Sequence, residues 1–168
     1  MIHFLFATEM ESKVLDGVKE KFTLDICGWG IDECRRNIPS IIEKYGQGVY
    51  VLSGIAGAYP ESGIKKGDVV EVITESYEGE SSSINSSIQL TTLPKVESMT
   101  VKSCNRPHGK AKIENMEGAP FFEQCATYGF SFTEIRAVSN ITNEPRENWD
   151  IDTALKKLKE NLKNILDE

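Results

Sequence analysis

Ile2-His3-Phe4-Leu5-Phe6-Ala7-Thr8-Glu9-Met10-Glu11 opens the chain with two elements in ten residues. The run Ile2–Ala7 is largely apolar with aromatic content and is too short for an ordinary helix, so it reads as a buried strand. Thr8 follows, with Glu11 three residues on. That is the capping-box pattern, in which two side chains satisfy each other's free backbone donors. Val14, Leu15 and Val18 then recur at helical spacing and predict a helix to about Lys21.

The same alternation continues outward. Thr23–Cys27 reads as a second strand, with Leu24 and Ile26 on one face, broken by Gly28-Trp29-Gly30. Asp32 can cap the next helix, whose apolar face is Cys34, Ile38, Ile41, Ile42 and Tyr45. Pro39 argues against that helix, since proline removes an interior hydrogen bond. Val49–Leu52 is a third strand entering Ser53-Gly54-Ile55-Ala56-Gly57-Ala58, where the glycines suggest a tight turn. Val69–Thr74 reads as a strand, Glu75–Ser87 as a polar surface loop or poorly ordered segment, and Leu93–Val101 as holding a short strand. Phe121, Phe122 and Cys125 mark a helix near 118–128 that Gly129 ends. Thr133–Val138 is a strand and Ser139–Trp149 a loop. The last helix, capped by Asp150 or Asp152, carries the stripe Leu155, Leu158, Leu162, Ile165 and Leu166. This order predicts an α/β layered fold with helices against a sheet. The 168 residues suit one domain, 1–168, with no visible repeat or linker.

Nineteen Lys and Arg against 26 Asp and Glu leave a net charge of −7, which argues against nucleic acid as a partner. No stretch approaches the ~18 apolar residues that cross a bilayer. The apolar start is too short for a signal peptide and has no basic leader. Cys27, Cys34, Cys104 and Cys125 form no CxxC pair, and the two histidines, His3 and His108, complete no zinc pattern. Reduced thiols in a cytoplasmic protein are expected, with no metal and no membrane.

Several places could carry chemistry. Glu11 is a helix-start carboxylate, suited to capping or to catalysis. The glycine-bearing stretches at 28–30 and 54–57 follow strands, where α/β folds gather ligands, but neither matches a phosphate-binding fingerprint. Glu114-Asn115-Met116-Glu117-Gly118-Ala119 brackets an amide and a thioether with carboxylates just before an apolar helix. Ser139 and Asn140 end a strand, facing a ligand or forming a turn. Arg146 and Trp149 precede the last helix as a lid or a surface patch.

Five of these stretches together resemble the purine nucleosidase and nucleoside phosphorylase superfamily. They are Ala7-Thr8-Glu9-Met10-Glu11, Ser53–Ala58, Lys66-Gly67-Asp68-Val69-Val70, Glu114–Ala119 and Arg136-Ala137-Val138-Ser139-Asn140. Within it the chain is similar to the futalosine hydrolases of an alternative menaquinone route, a likeness that extends through Arg146, Trp149-Asp150-Ile151 and Ala154. The middle, about 75–112, is shorter than in that family. The resemblance implies a three-layer sandwich with a mixed central sheet flanked by helices. It also implies a small-molecule nucleoside substrate, a homodimer, and neither cofactor nor metal.

The resemblance further implies roles. Glu11 takes a proton from the attacking water, Glu117 grips the ribose hydroxyls and Met116 packs on the sugar. Asn140 meets the purine N7 edge, while Ala56, Gly57, Asn115 and Ser139 line the base and backbone side. Ser103-Cys104-Asn105-Arg106 is a candidate for further base contact. Adenine-specific relatives carry aspartate where Asn140 stands. An amide donates to N7 or O6 but delivers no proton easily, so Asn140 leans toward a 6-oxopurine such as the hypoxanthine of futalosine. The acidic residues after the first strand would repel phosphate, which favours water as nucleophile. Two alternatives remain: a methylthioadenosine/S-adenosylhomocysteine nucleosidase, and a non-catalytic nucleoside-binding protein.

Overall fold

In a computed structural model, which describes residues 1–103 and 109–167, β1 (Ile2–Phe6) lies between two parallel neighbours, β2 (Phe22–Ile26) and β3 (Val49–Ala58). Its side chains alternate between layers, as a strand's must. Phe4 and Phe6 enter one apolar cluster and Leu5 the other. β3 continues the sheet to β8 (Ser131–Ile141), again in parallel.

β8 also pairs antiparallel with β4 (Val69–Tyr77). β4 pairs with β5 (Ser83–Asn85) and with β6 (Lys95–Thr100), β6 with β7 (Ile113–Asn115), and β7 returns to β3. The eight strands are therefore one mixed sheet in which β3, β8, β4, β6 and β7 close into a ring. The helices cover two faces. α2 (Gly30–Tyr45) and α3 (Gly118–Tyr128) bury Ile38, Ile42, Phe121 and Phe122 on one side. α4 (Ile151–Asp167) buries Ala154, Leu158, Leu162 and Ile165 on the other, beside Val14 and Leu15. This is the three-layer α/β sandwich that the resemblance implies. Among the described residues no helix is long and apolar enough to cross a membrane, and Cys27, Cys34 and Cys125 are free and buried. Cys104, Asn105, Arg106 and His108 lie outside the described residues.

Several local expectations are corrected. The first helix does not reach Lys21: α1 is Glu9–Ser12, followed by a single 3-10 turn at Lys13–Leu15. Gly17 then adopts a left-handed φ of 77° and the chain drops back to start β2. Asp32 does not cap α2, which begins at Gly30; Glu33 Oε2 accepts from the Trp29 N–H at 3.0 Å instead. Pro39 is tolerated inside that helix, whose buried face is otherwise as expected. The glycines at 54 and 57 make no turn, because β3 runs unbroken to Ala58 with a register shift at Ala56/Gly57. Nor is 75–87 simply a surface loop. β4 continues to Tyr77, Glu75 is fully buried, and β5 pairs back onto β4. α4 is capped by Asp150, whose Oδ1 accepts from the Thr153 N–H at 3.1 Å.

Candidate active site

The parallel strands β1, β3 and β8 end at one place. A cavity of about 440 Å³ opens there, bounded by Thr8, Ile55 and Asn140 among others. Carboxyl ends of parallel strands are where α/β sheets admit ligands, and the volume is that of a small-molecule site. Glu11 and Glu117 both line it, although one comes from α1 and the other from the start of α3. Met116, Asn115, Ser139 and Asn140 line it too, as do Ala56 and Gly57 on β3. The eight residues singled out from the sequence thus meet on one cavity.

Glu11 is 4% exposed. The capping box is half formed: Thr8 Oγ1 accepts from the Glu11 N–H at 3.3 Å, but Glu11's carboxylate does not return to the Thr8 backbone. It accepts from Thr8 Oγ1 at 2.9 Å and from the Ile55 N–H at 3.0 Å. A carboxylate offers about four acceptor sites, so two fixed donors hold it in place and leave capacity for a ligand. Gly54 makes this arrangement possible. A Cβ there would stand 2.6 Å from Glu11 Oε1 and 2.7 Å from Arg136 Nη1. This glycine is needed for close approach, not for a turn.

Glu117, also 4% exposed, accepts from the Gly30 N–H at 2.9 Å and faces Arg136 Nη2 at 3.4 Å. Gly30 starts α2, so the positive end of a helix dipole points at this carboxylate. Burial pushes Glu117's pKa up; Arg136 and the Gly30 amide pull it back, and Glu11 and Glu134 add to the rise, leaving it above the ordinary carboxylate value. Arg136 is itself buried and held protonated: burial opposes its charge, but Glu134, Glu117 and Glu11 outweigh burial.

Asn140 is set by its neighbour. Ser139 Oγ donates to Asn140 Oδ1 at 2.9 Å, which leaves the amide nitrogen as the donor, with only a 3.3 Å bond to the Ile141 carbonyl. Gly57 lies against this amide; a Cβ there would come within 3.1 Å of Nδ2. At the mouth, Trp29 is 66% exposed and the Arg146 guanidinium stacks on Trp149 at 4.4 Å. Both tryptophans and Arg146 line the cavity. The buried Trp149 indole N–H has no hydrogen-bond partner among the described residues.

Among the lining residues to which the sequence assigns no ligand role, two are polar and hydrogen-bonded in the site, Thr8 and Glu114. Thr8, a cap by its sequence pattern, also orients Glu11. Glu114, 4% exposed, lines the cavity and accepts from the Tyr59 hydroxyl at 3.1 Å. Its position two residues before Met116 in a quoted stretch was the available signal. Among the described residues no group of His, Cys, Asp or Glu is arranged to hold a metal ion.

No family model and no curated protein matches this chain. Solved structures do. A mutant futalosine hydrolase of Helicobacter pylori strain 26695 superposes with a TM-score of 0.85 at 18% identity, covering 99% of this chain and 98% of that one. The apo 5'-methylthioadenosine nucleosidase of Arabidopsis thaliana matches at 0.83 and 12%, covering 99% and 94%. The 5'-methylthioadenosine/S-adenosyl homocysteine nucleosidase of Helicobacter pylori, solved with a pyrrolidinol ligand, matches at 0.85 and 16%, covering 99% and 97%. The chain therefore has the fold of the nucleoside phosphorylase and nucleosidase superfamily, the fold that these enzymes share.

Proposed function

We propose that this protein hydrolyses the N-ribosyl bond of a purine nucleoside with a 6-oxopurine base, and that futalosine is its substrate, split to hypoxanthine and dehypoxanthine futalosine. One observation carries the reading: two buried carboxylates, Glu11 and Glu117, and the donor amide of Asn140 face one cavity of nucleoside size. Breaking the bond builds positive charge on the ribose and negative charge on the leaving base, and a site must stabilise both. Fixed carboxylates suit the first and an amide N–H suits the second.

In this mechanism Glu11, already oriented by Thr8 and Ile55, takes the proton from a water attacking the anomeric carbon. Glu117 has acceptor capacity beyond Gly30 and Arg136 and takes the ribose hydroxyl protons in hydrogen bonds. Met116 packs on the sugar. Asn140 donates to N7 or O6, with Ser139 holding its carbonyl oxygen. Water rather than phosphate is the nucleophile. The lining carries the carboxylates Glu11, Glu114 and Glu117, while its one cation among the described residues, Arg146, is stacked on Trp149.

A second reading, a methylthioadenosine or adenosylhomocysteine nucleosidase, draws support from the structural likeness to such enzymes. Asn140 is the residue that speaks against it. Purified protein incubated with futalosine, inosine and methylthioadenosine, with and without phosphate, followed by chromatography of the bases, separates the possibilities. Hypoxanthine from futalosine without phosphate is expected. Adenine from methylthioadenosine would establish the second reading, and calorimetric binding with no base released would make the protein a nucleoside binder. A homodimer is the expected assembly, to be checked by light scattering.

A further inference from the structure

Behind the wall of the cavity lie two acids to which the mechanism gives no task. Glu75 on β4 and Glu134 on β8 are both fully buried. They crowd the same glycine: a Cβ on Gly118 would collide with the Glu75 carboxyl and stand 2.7 Å from Glu134 Oε2. Glu134 Oε1 accepts from Arg136 Nε at 2.6 Å, whereas Oε2 has no donor among the described residues. Glu75 accepts from Thr100 Oγ1 at 2.7 Å and from the Asn115 amide.

These contacts lead to the cavity wall. Asn115 Oδ1 accepts from the Glu117 N–H at 2.9 Å, the Gly118 N–H at 2.7 Å and Arg136 Nη2 at 3.2 Å. Thr100 Oγ1 accepts from the Ala119 N–H at 2.8 Å. The start of α3, where Glu117 is the N-cap residue, is thus hung on groups that Glu75 and Arg136 contact.

We infer that Glu75 is the protonated member of a carboxyl pair, that its O–H donates to Glu134 Oε2, and that the pair positions Glu117 through Arg136 and Asn115. Two carboxylates in contact in a buried site cannot both ionise cheaply, and an acceptor oxygen with no donor is costly unless its neighbour supplies a proton. Burial, then the Glu134 charge, raises Glu75 well above the ordinary carboxylate value. The charged and titratable groups around the pair are Arg136 on β8, Glu117 at the start of α3 and Tyr59 after β3, and Glu11 on α1 faces Arg136 and Glu117 in turn. With Glu75 neutral, Glu134 directs its charge to Arg136 Nε and Glu117 keeps acceptor capacity for a ligand. Loss of the Glu134 charge would turn Arg136 onto Glu117.

The proton is read without any substrate. Infrared spectra of the wild-type protein at pH 7 should contain the carbonyl stretch of a buried carboxylic acid, absent in Glu75→Gln. No such band in the wild type, or its survival in Glu75→Gln, overturns the pair whatever the enzyme acts on. The positioning role rests on the nucleosidase reading and is tested by kinetics on the turned-over nucleoside or, with no turnover, by the calorimetric Kd. Glu134→Gln should raise KM or Kd roughly tenfold or more, with a smaller change in kcat where turnover exists. Glu75→Gln keeps a donor toward Glu134 Oε2 but loses the acceptor that Glu75 offers the Asn115 amide, so it should stay closer to the wild-type value than Glu75→Leu. Unchanged affinity in Glu134→Gln, or a Glu75→Gln protein no closer to wild type than Glu75→Leu, overturns the role.

Discussion

Glu11 is held by a hydroxyl and a backbone amide, neither of which depends on its charge for geometry. Replacing it with glutamine keeps the shape and removes the proton acceptor. Glu11→Gln should therefore cut kcat by about 10²–10⁴, the usual worth of a general base, while a calorimetric Kd for the nucleoside changes little. Equal loss of both would make Glu11 a structural cap. Asn140 is tested at the other end of the bond. Asn140→Asp replaces a donor with an acceptor facing N7 and O6, and should lower kcat/KM on a 6-oxopurine nucleoside roughly tenfold or more. An unchanged rate would remove the base-edge role.

At the level of elements, Glu71 on β4 ties the segment after β5 to the sheet. Its carboxylate accepts from the Leu90 and Thr91 N–H groups, from Thr133 Oγ1 and from Lys95 Nζ at 2.6 Å. Burial raises its pKa, but Lys95 and these donors outweigh burial and hold it below the ordinary 4.5. A depressed acid stabilises the fold above its unfolded value and loses that contribution as pH falls through the folded one. Glu71→Gln should cost roughly 1.5–3 kcal/mol at pH 7, with the gap to wild type closing below pH 4.5 in urea titrations. Elements of this kind were poorly legible in sequence. Helix α4 could be read because its burial follows a period of 3.6, and strand β1 because its apolar run is too short for a helix. The stretch 75–87 could not, because Glu75 is buried by hydrogen bonding to Thr100 and Asn115, and hydropathy does not encode a satisfied acid. Likewise the glycines of β3 looked like turn residues, when Gly54 is small to admit Glu11 and Arg136.

Across the whole molecule, both apolar clusters share the strands β1, β3, β4 and β8. Neither layer of helices has a sheet of its own, so the two should unfold together. Ile38→Ala in α2 and Leu162→Ala in α4, both fully buried, should each cost about 2–5 kcal/mol. Each should also shift a single calorimetric transition rather than split it; two resolved transitions would mean that the layers are independent. The site follows the same logic. Its residues come from α1, β3, β7, β8, the start of α3 and the segments before α2 and α4, and the closed sheet brings them together. Spacing along the chain could not show this convergence; likeness to a family suggested it, and the strand ends give it a physical basis.

The chain's two tryptophans, Trp29 and Trp149, both stand at the rim of one cavity, and no other indole is present to mask them. Intrinsic emission is therefore a label-free gauge of occupancy. A nucleoside entering between them should quench or shift the signal in a saturable way. Trp29→Phe and Trp149→Phe would divide that response, reporting which wall the arriving molecule reaches.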